Sequence, residues 1–305
     1  MQIISVSGGK GGTGKTFVAV NLALYLATKK KNVLLMDCDV ENPNTNILLG
    51  KTDLSEFESA EISHFVPKFD ENKCTKCGKC AQVCRPHAIF QIINQIPLLM
   101  QNLCTSCELC YRVCPDDAII PSYEPLGKIY LKTIRVQDTS LDLMVGELSV
   151  GQVQAVKILE RMYKKLEKLN ATHKYDYIIT DSAPGAHCDV EFVIKQSKYV
   201  LCVTEPTPFG IHDLKRILEL SNIVQRNTFV IMNRATITDY PLNNLEKDHN
   251  THIIASIPYD LQIMESYAQG IPFLFYKLAE EKSSSKIAIE SIGQFVVQKE
   301  KSTYD

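Results

Sequence analysis

Eight of the eleven cysteines fall in two runs, CTKCGKCAQVC from Cys74 to Cys84 and CTSCELCYRVC from Cys104 to Cys114. Each run is spaced C-x2-C-x2-C-x3-C, and the two are offset by 30 residues. Aligned on the cysteines they also share Thr75/Thr105, Val83/Val113, Ala88/Ala118 and Ile89/Ile119, so the segment is an internal repeat. Four thiolates within 11 residues suit an iron–sulfur cluster. Structural zinc usually takes paired C-x2-C knuckles separated by a longer loop, and here the third cysteine follows too soon. Cys84 is followed by Arg85-Pro86, where Cys114 meets Pro115 directly. A basic side chain beside one cluster would favour its reduced, more negative state.

A different chemistry is written in QIISVSGGKGGTGKT. Ile3, Ile4 and Val6 read as a short strand, and Val18, Leu22, Tyr25 and Leu26 recur at helical spacing. The glycine-rich turn between them matches G-x-x-x-x-G-K-[ST]: Gly9, then Lys10, Gly11, Gly12 and Thr13, then Gly14, Lys15 and Thr16. In that context the backbone N–H groups of the loop and of the helix start cradle phosphate oxygens. Lys15 is expected to neutralise the β- and γ-phosphates and Thr16 Oγ1 to ligate Mg²⁺, making ATP/ADP and Mg²⁺ the expected cofactors. Two more segments place carboxylates at strand ends, where ligands of open α/β sheets bind. Val33 to Met36 leads to Asp37 and Asp39, and Tyr177 to Thr180 leads to Asp181 and a glycine turn.

KGGTGKT, with Lys10 five residues before Lys15, resembles the deviant P-loop of the MinD/ParA-like ATPases, relatives of the nitrogenase iron protein. The cysteine repeat resembles a bacterial two-cluster ferredoxin, and together they are similar to the MinD-superfamily ATPases with an inserted ferredoxin domain. The first resemblance implies an ATP-sandwich dimer in which Lys10 crosses to the partner's nucleotide. It also implies that Asp39 orients the attacking water in switch I and that Asp37 supports Lys15 or Mg²⁺. Asp181 would reach Mg²⁺ through water, and the Gly185 N–H would sense the γ-phosphate. Asn233 and the Pro258-Tyr259-Asp260 turn would hold the adenine. The second resemblance implies two [4Fe-4S] clusters with crossed ligands. Cys74, Cys77, Cys80 and Cys114 would bind one, and Cys104, Cys107, Cys110 and Cys84 the other.

The elements that must position these groups follow an α/β plan: a mostly parallel P-loop sheet with helices on both faces, and an inserted two-cluster ferredoxin-like α+β domain. Residues 1–64 and 122–305 are expected to form the ATPase, and 65–121 the insertion. GQVQAVKILERMYKKLEKL predicts an amphipathic helix with Val153, Val156, Leu159, Tyr163 and Leu166 on one face. The last helix gathers Ile289, Ile292 and Val296, which suits core packing better than membrane binding. Cys38, Cys188 and Cys202 are left over. Cys188 stands seven residues past Asp181, the offset of a cluster ligand in the nitrogenase iron protein, but no second such cysteine is evident, and a structural role is expected.

Composition narrows the classes. A net charge of −2 argues against nucleic acid or an anionic membrane as partner. The metal-like spacing, the absence of a secretory signal and the lack of an 18-residue apolar run point to a reducing cytoplasm. The expected partners are a second copy or a paralogue in a dimer, and a protein redox or metallocluster-assembly partner. The functional expectation is nucleotide-gated electron transfer. Delivery of clusters to an acceptor, as in Mrp-type relatives, is the alternative, and a positioning ATPase with purely structural clusters is a third.

Overall fold

Strands β2 (Val33–Cys38), β8 (Tyr177–Ser182) and β9 (Tyr199–Thr204) are buried at every residue, as a parallel sheet covered on both faces requires. The computed structural model describes residues 1–238, 240, 245–276 and 283–301. The other strands are β1 (Gln2–Ser7), β3 (Glu58–Phe69), β4 (Ile89–Phe90), β5 (Leu98–Leu99), β6 (Ile119–Val136), β7 (Thr139–Leu148), β10 (Asn227–Met232) and β11 (His252–Ser256). Helices are α1 (Lys15–Thr28), α2 (Thr45–Leu48), α3 (Lys79–Gln82), α4 (Leu109–Arg112) and α5 (Ala155–His173). They continue with α6 (Cys188–Gln196), α7 (Pro208–Ile223), α8 (Leu245–His249), α9 (Leu261–Ala268) and α10 (Ser284–Lys301).

Nine strands form one sheet in the order β11-β10-β9-β1-β8-β2-β7-β6-β3. Pairing is parallel from β11 to β7 and antiparallel for β7-β6-β3. Because strand side chains alternate, Val33 and Leu35 pack with α1 and α10. Leu34, Met36 and Cys38 pack on the opposite face with α5, and Val200 and Cys202 with α6 and α7. Cys38 and Cys202 are thus core residues.

The α5 helix starts at Ala155, so its buried face is Ala155, Ile158, Leu159, Met162, Tyr163 and Leu166. Leu159, Tyr163 and Leu166 are buried as the period predicts, Val156 is half-buried, and Val153 precedes the helix and is 60% exposed.

The cysteine segment does not sit beside the sheet as a detached unit. Strands β3 and β6 pair without a gap in chain from Glu58↔Leu131 to Phe69↔Ile119, through a bulge at Ile62/Ser63. β6 meets β7 only from Gly127 onward. Residues 119–125 and 63–69 therefore form a two-stranded arm beyond the sheet, and residues 65 and 121 lie inside its strands. Pro67, Pro121 and Pro125 are placed in this arm, where a missing N–H disrupts no central ladder. At its tip the chain forms α3, α4 and a β4-β5 ribbon, around a small core of Phe65, Cys80, Ile89, Cys110 and Ile119.

On the far side, α10 packs on α1 with Gly293 against the Tyr25 ring, so close that a Cβ would overlap it. Gly293→Ala should therefore lower stability by about 1–3 kcal/mol through overpacking, against a helix-propensity gain of about 1 kcal/mol. Urea unfolding would measure it, and a variant more stable than the parent would disprove this packing.

Candidate functional site

The loop between β1 and α1 turns through Gly12 (φ 81°) and Gly14 (φ 99°), the latter being the N-cap of α1. Such angles favour glycine. A Cβ on Gly14 would also strike the Asn233 side chain, and one on Gly9 would strike the Asp213 backbone. The α1 N-terminus, with its unpaired N–H groups, thus opens directly above the carboxyl ends of β2 and β8.

There the structure gathers a charged cluster. Asp37 and Asp181 are register partners on adjacent strands, and both are buried. Thr16 Oγ1 donates to Asp181 Oδ2 at 2.6 Å, while Asp181 Oδ1 is buried without a hydrogen-bond partner. Burial, then the neighbouring Asp37, hold the Asp181 carboxyl well above the usual range. Burial also raises Asp39. Lys15 is lowered by burial, offset by Asp181 and Asp39, and its Nζ donates to the Lys10 carbonyl at 3.2 Å.

An orphaned carboxylate oxygen beside a threonine hydroxyl at a strand end is a donor set that fits Mg²⁺. Thr16 and Asp181 are the residues that fit.

Asp37 is used differently from the expectation that it supports Lys15 or Mg²⁺. Its Oδ2 accepts from Asn44 N (2.8 Å), Thr45 N (2.9 Å) and Thr45 Oγ1 (2.9 Å), and its Oδ1 accepts from Asp39 N (3.2 Å). It shapes the turn that carries Asp39 into α2. Burial still raises it to about 6, despite these bonds.

A cavity of about 560 Å³ opens onto this cluster, within the range of small-molecule sites. Gly11, Gly12, Gly14, Lys15, Thr16 and Asp39 line it together with Asn233, Pro258 and Asp260. Gly9, Lys10, Thr13, Asp37 and Asp181 stand outside that lining. Asn233 Nδ2 donates to the Thr13 carbonyl at 2.8 Å and its Oδ1 accepts from Arg234 N at 2.9 Å. Asp260 caps α9 through Gln262 N and accepts from Ser285 Oγ. Both are thereby positioned as walls more than as free polar readers. The Gly185 N–H, expected at the γ-phosphate, donates to the Gly8 carbonyl at 3.1 Å.

Sequence reasoning missed the apolar wall from α9: Ile263, Met264 and Tyr267, beside Tyr259 of the expected turn. Its signal was a short helix that leaves large apolar side chains exposed, Met264 at 49% and Tyr267 at 55%. Lys10 points toward Glu205, with Nζ 3.7 Å from Oε2, and Glu205 also accepts from Arg234. Cys188 is exposed at the first turn of α6, not packed in a core.

At the tip of the arm the eight repeat cysteines line two small cavities of equal size, about 20 Å³ each. The first is lined by Cys74, Cys77, Cys80 and Cys114, the second by Cys84, Cys104, Cys107 and Cys110. Each set takes three cysteines from one run and one from the other. Cys80 and Cys110 are buried and Cys77 and Cys107 exposed, so the repeat extends to exposure. Among the described residues no three His, Cys, Asp or Glu side chains converge as they would on a single metal ion. Each set of four thiols lines its own cavity.

Residues 4–273 match the CobQ/CobB/MinD/ParA nucleotide-binding domain family. The chain belongs to that family. An uncharacterized protein of Methanocaldococcus jannaschii is 33% identical over 276 residues, 90% of this chain and 93% of that one. The septum site-determining protein MinD of Pyrococcus horikoshii, complexed with Mg-ADP, has a TM-score of 0.59 at 20% identity, covering 97% of this chain and 95% of that one. The iron–sulfur cluster carrier protein of Salmonella typhimurium is 49% identical over only 66 residues, 22% of this chain and 18% of that one. The fold is thus that of a MinD/ParA-type ATPase, and no helix among the described residues is long and apolar enough to cross a membrane.

If Asp181 Oδ1 awaits a cation, Asp181→Asn should leave the ion-free protein at least as stable, because it removes a buried, incompletely bonded charge. The same change should reduce the melting-temperature rise given by Mg²⁺ with ADP, by the equivalent of about tenfold in affinity. Thermal melts with and without Mg-ADP read both effects, and an undiminished rise would exclude the assignment.

Proposed function

We propose that the protein is an ATP-hydrolysing iron–sulfur protein in which nucleotide-driven closure of a dimer governs electron transfer to a redox or metallocluster partner. The observation that carries this reading is the crossed grouping of eight cysteines around two cavities, borne on an arm of the nucleotide-binding sheet. That grouping supports two [4Fe-4S] clusters in an inserted ferredoxin-like domain within residues 65–121.

The lobe at the arm's tip gives a second, energetic support. It has two-residue strands, four-residue helices and a small core of Phe65, Cys80, Ile89, Cys110 and Ile119, with only small Ala88 and Ala118 buried beside it. A unit this small needs cross-links or metal in place of a hydrophobic core. When bound, the clusters would supply one-electron storage. This chain's part is to hold the thiols, exclude water at Cys80 and Cys110, and leave the Cys77 and Cys107 corners open to a partner.

In the nucleotide site, Lys15 and the α1 N–H groups hold phosphate, Thr16 and Asp181 hold Mg²⁺, and Asp39 orients water. Asn233, Pro258 and Asp260 flank the base beside the α9 wall. Lys10 is held by Glu205 in the single chain, so reaching a partner's nucleotide requires exchanging that ion pair for phosphate. The partner is a second copy or a paralogue, and the setting is cytoplasmic. The short match to a cluster carrier protein favours a second reading, delivery of clusters to an acceptor.

Anoxic purification should give about eight iron and eight sulfide per chain. Stripping the iron with a chelator should then expose residues 70–118 to protease while Mg-ADP binding persists. Preparations free of iron and sulfide would sink the reading. Clusters that pass rapidly to an apo-protein, without surviving repeated reduction, would turn it toward delivery. Lys10→Ala should lower ATP turnover at least about 100-fold with nucleotide affinity within a few-fold. Steady-state turnover and equilibrium binding distinguish the two, and equal losses in both would remove Lys10 from the transition state.

A further inference from the structure

We infer that the nucleotide state is read by one cysteine set only, that of Cys84, Cys104, Cys107 and Cys110, and that Gln154 is the positioning residue that joins it to the nucleotide site. The inference rests on the function proposed above.

Gln154 is the N-cap of α5, yet its side chain makes no cap hydrogen bond. It reaches away from the helix to the cysteine lobe. Nε2 donates to the Cys104 carbonyl at 2.9 Å, and Oε1 accepts from Ser106 Oγ at 3.4 Å. Ser106 Oγ also lies 3.4 Å from His64 Nδ1, and His64 is a buried residue of β3. Ser106 itself is held at φ 54°, a conformation costly for a non-glycine residue unless its surroundings fix it. The loop that presents Cys104 and Cys107 is therefore fastened to the α/β body through Gln154 and to the arm through His64.

The other end of this connection is the nucleotide site. Asp39 lines the cavity, and its neighbour Val40 accepts through its carbonyl from Leu148 N at 2.7 Å. Leu148 closes β7, and Ser149 N bonds the Leu126 carbonyl of β6 at 2.9 Å. Five residues after Ser149 the chain reaches Gln154. A shift of Asp39 on exchange of nucleotide is thus passed through one backbone hydrogen bond to the segment whose end holds Cys104.

The first set is tied differently. Thr75 Oγ1 donates to Asp116 at 2.6 Å, Gln91 Nε2 donates to the Lys76 carbonyl at 3.1 Å, and the Ala118 N–H donates to Cys114 Sγ at 3.3 Å. These bonds stay within the lobe. The first set moves with the lobe as a whole, whereas the second has its own line to the site.

The test uses the full chain, purified with its clusters under anoxic conditions. Redox titrations followed by electron paramagnetic resonance are run with Mg-ADP and with Mg and a non-hydrolysable ATP analogue. Cys77→Ser and Cys107→Ser assign each signal to its cysteine set. Between the two nucleotides the parent should show a shift in potential confined to the signal altered by Cys107→Ser, with changed hydrogen exchange at residues 104–108. Gln154→Ala should abolish both changes while retaining cluster content and ATP turnover. Gln154→Glu keeps the acceptor for Ser106 but loses the donor to Cys104, and should behave as Gln154→Ala does. A shift that survives in Gln154→Ala, or falls on the signal altered by Cys77→Ser, would overturn the inference with the function intact. So would a parent with both clusters, normal nucleotide binding and no shift. A chain without clusters would instead remove the function on which the inference stands.

Discussion

The arrangement depends on an electrostatic imbalance built into the sheet. Asp37 and Asp181 occupy the same level of neighbouring parallel strands, which lie about 4.8 Å apart. Asp39 follows just beyond. Alternation puts Asp37 and Asp181 on the face that carries α1, so three carboxylates meet one lysine and the positive end of a helix. Two like charges at that spacing in a buried site cannot both be ionised without help. Asp37 finds its help in protein donors, and in doing so fixes the turn that leads to α2. Asp181 has only Thr16, and one of its oxygens is left bare. The proposed divalent cation carrying phosphate would complete the site, and a loop rich in glycine and poor in side chains leaves room for it.

The same sheet explains where the cysteines sit. Its parallel part ends at β7, a strand whose one neighbour is β2 and whose other is the antiparallel β6. A parallel strand requires a crossover, but an antiparallel pair can run outward without one. The β3–β6 arm uses this freedom, with prolines in the stretch where no third strand needs their N–H groups. The arm's backbone hydrogen bonds join β3 to β6, β6 reaches β7 from Gly127 onward, and β7 stands directly beside the strand that delivers Asp37 and Asp39.

Much of this was legible in the residues. The strand–loop–helix context of the P-loop, the carboxylates at strand ends and the buried face of α10 follow from period and position. So does the repeat, because thiol spacing is local. What was not legible is long-range. That Asp37 would spend its lone pairs on Asn44, Thr45 and Asp39 depends on how the chain turns seven residues later. That Asn233 would brace Thr13 depends on two loops 220 residues apart. The α9 wall carries no motif at all, since a tyrosine that stacks on a ligand and one that packs a core read alike. Gln154 was invisible for the same reason: in the sequence it is one polar position within the predicted amphipathic helix, and only the folded arm brings Cys104 within its reach.

The smallness of the lobe's core decides what kind of motion the arm can transmit. Phe65, Ile89 and Ile119 with two cysteines give too little apolar area to support independent rearrangement inside the lobe. On the proposed reading, thiols tied at two centres would make the lobe move as a body, hinged where β6 parts from β7 near Gly127. Rigid motion about that point alters the distance from both cysteine sets to an external partner together. A difference between the sets must therefore come from a contact that bypasses the arm. The segment from Leu148 to Gln154 is such a bypass, anchored at one end on the strand beside Asp39 and at the other on the carbonyl of a cysteine. An arm that sets distance and a tether that tunes one set can be altered independently, which a single rigid connection would not permit.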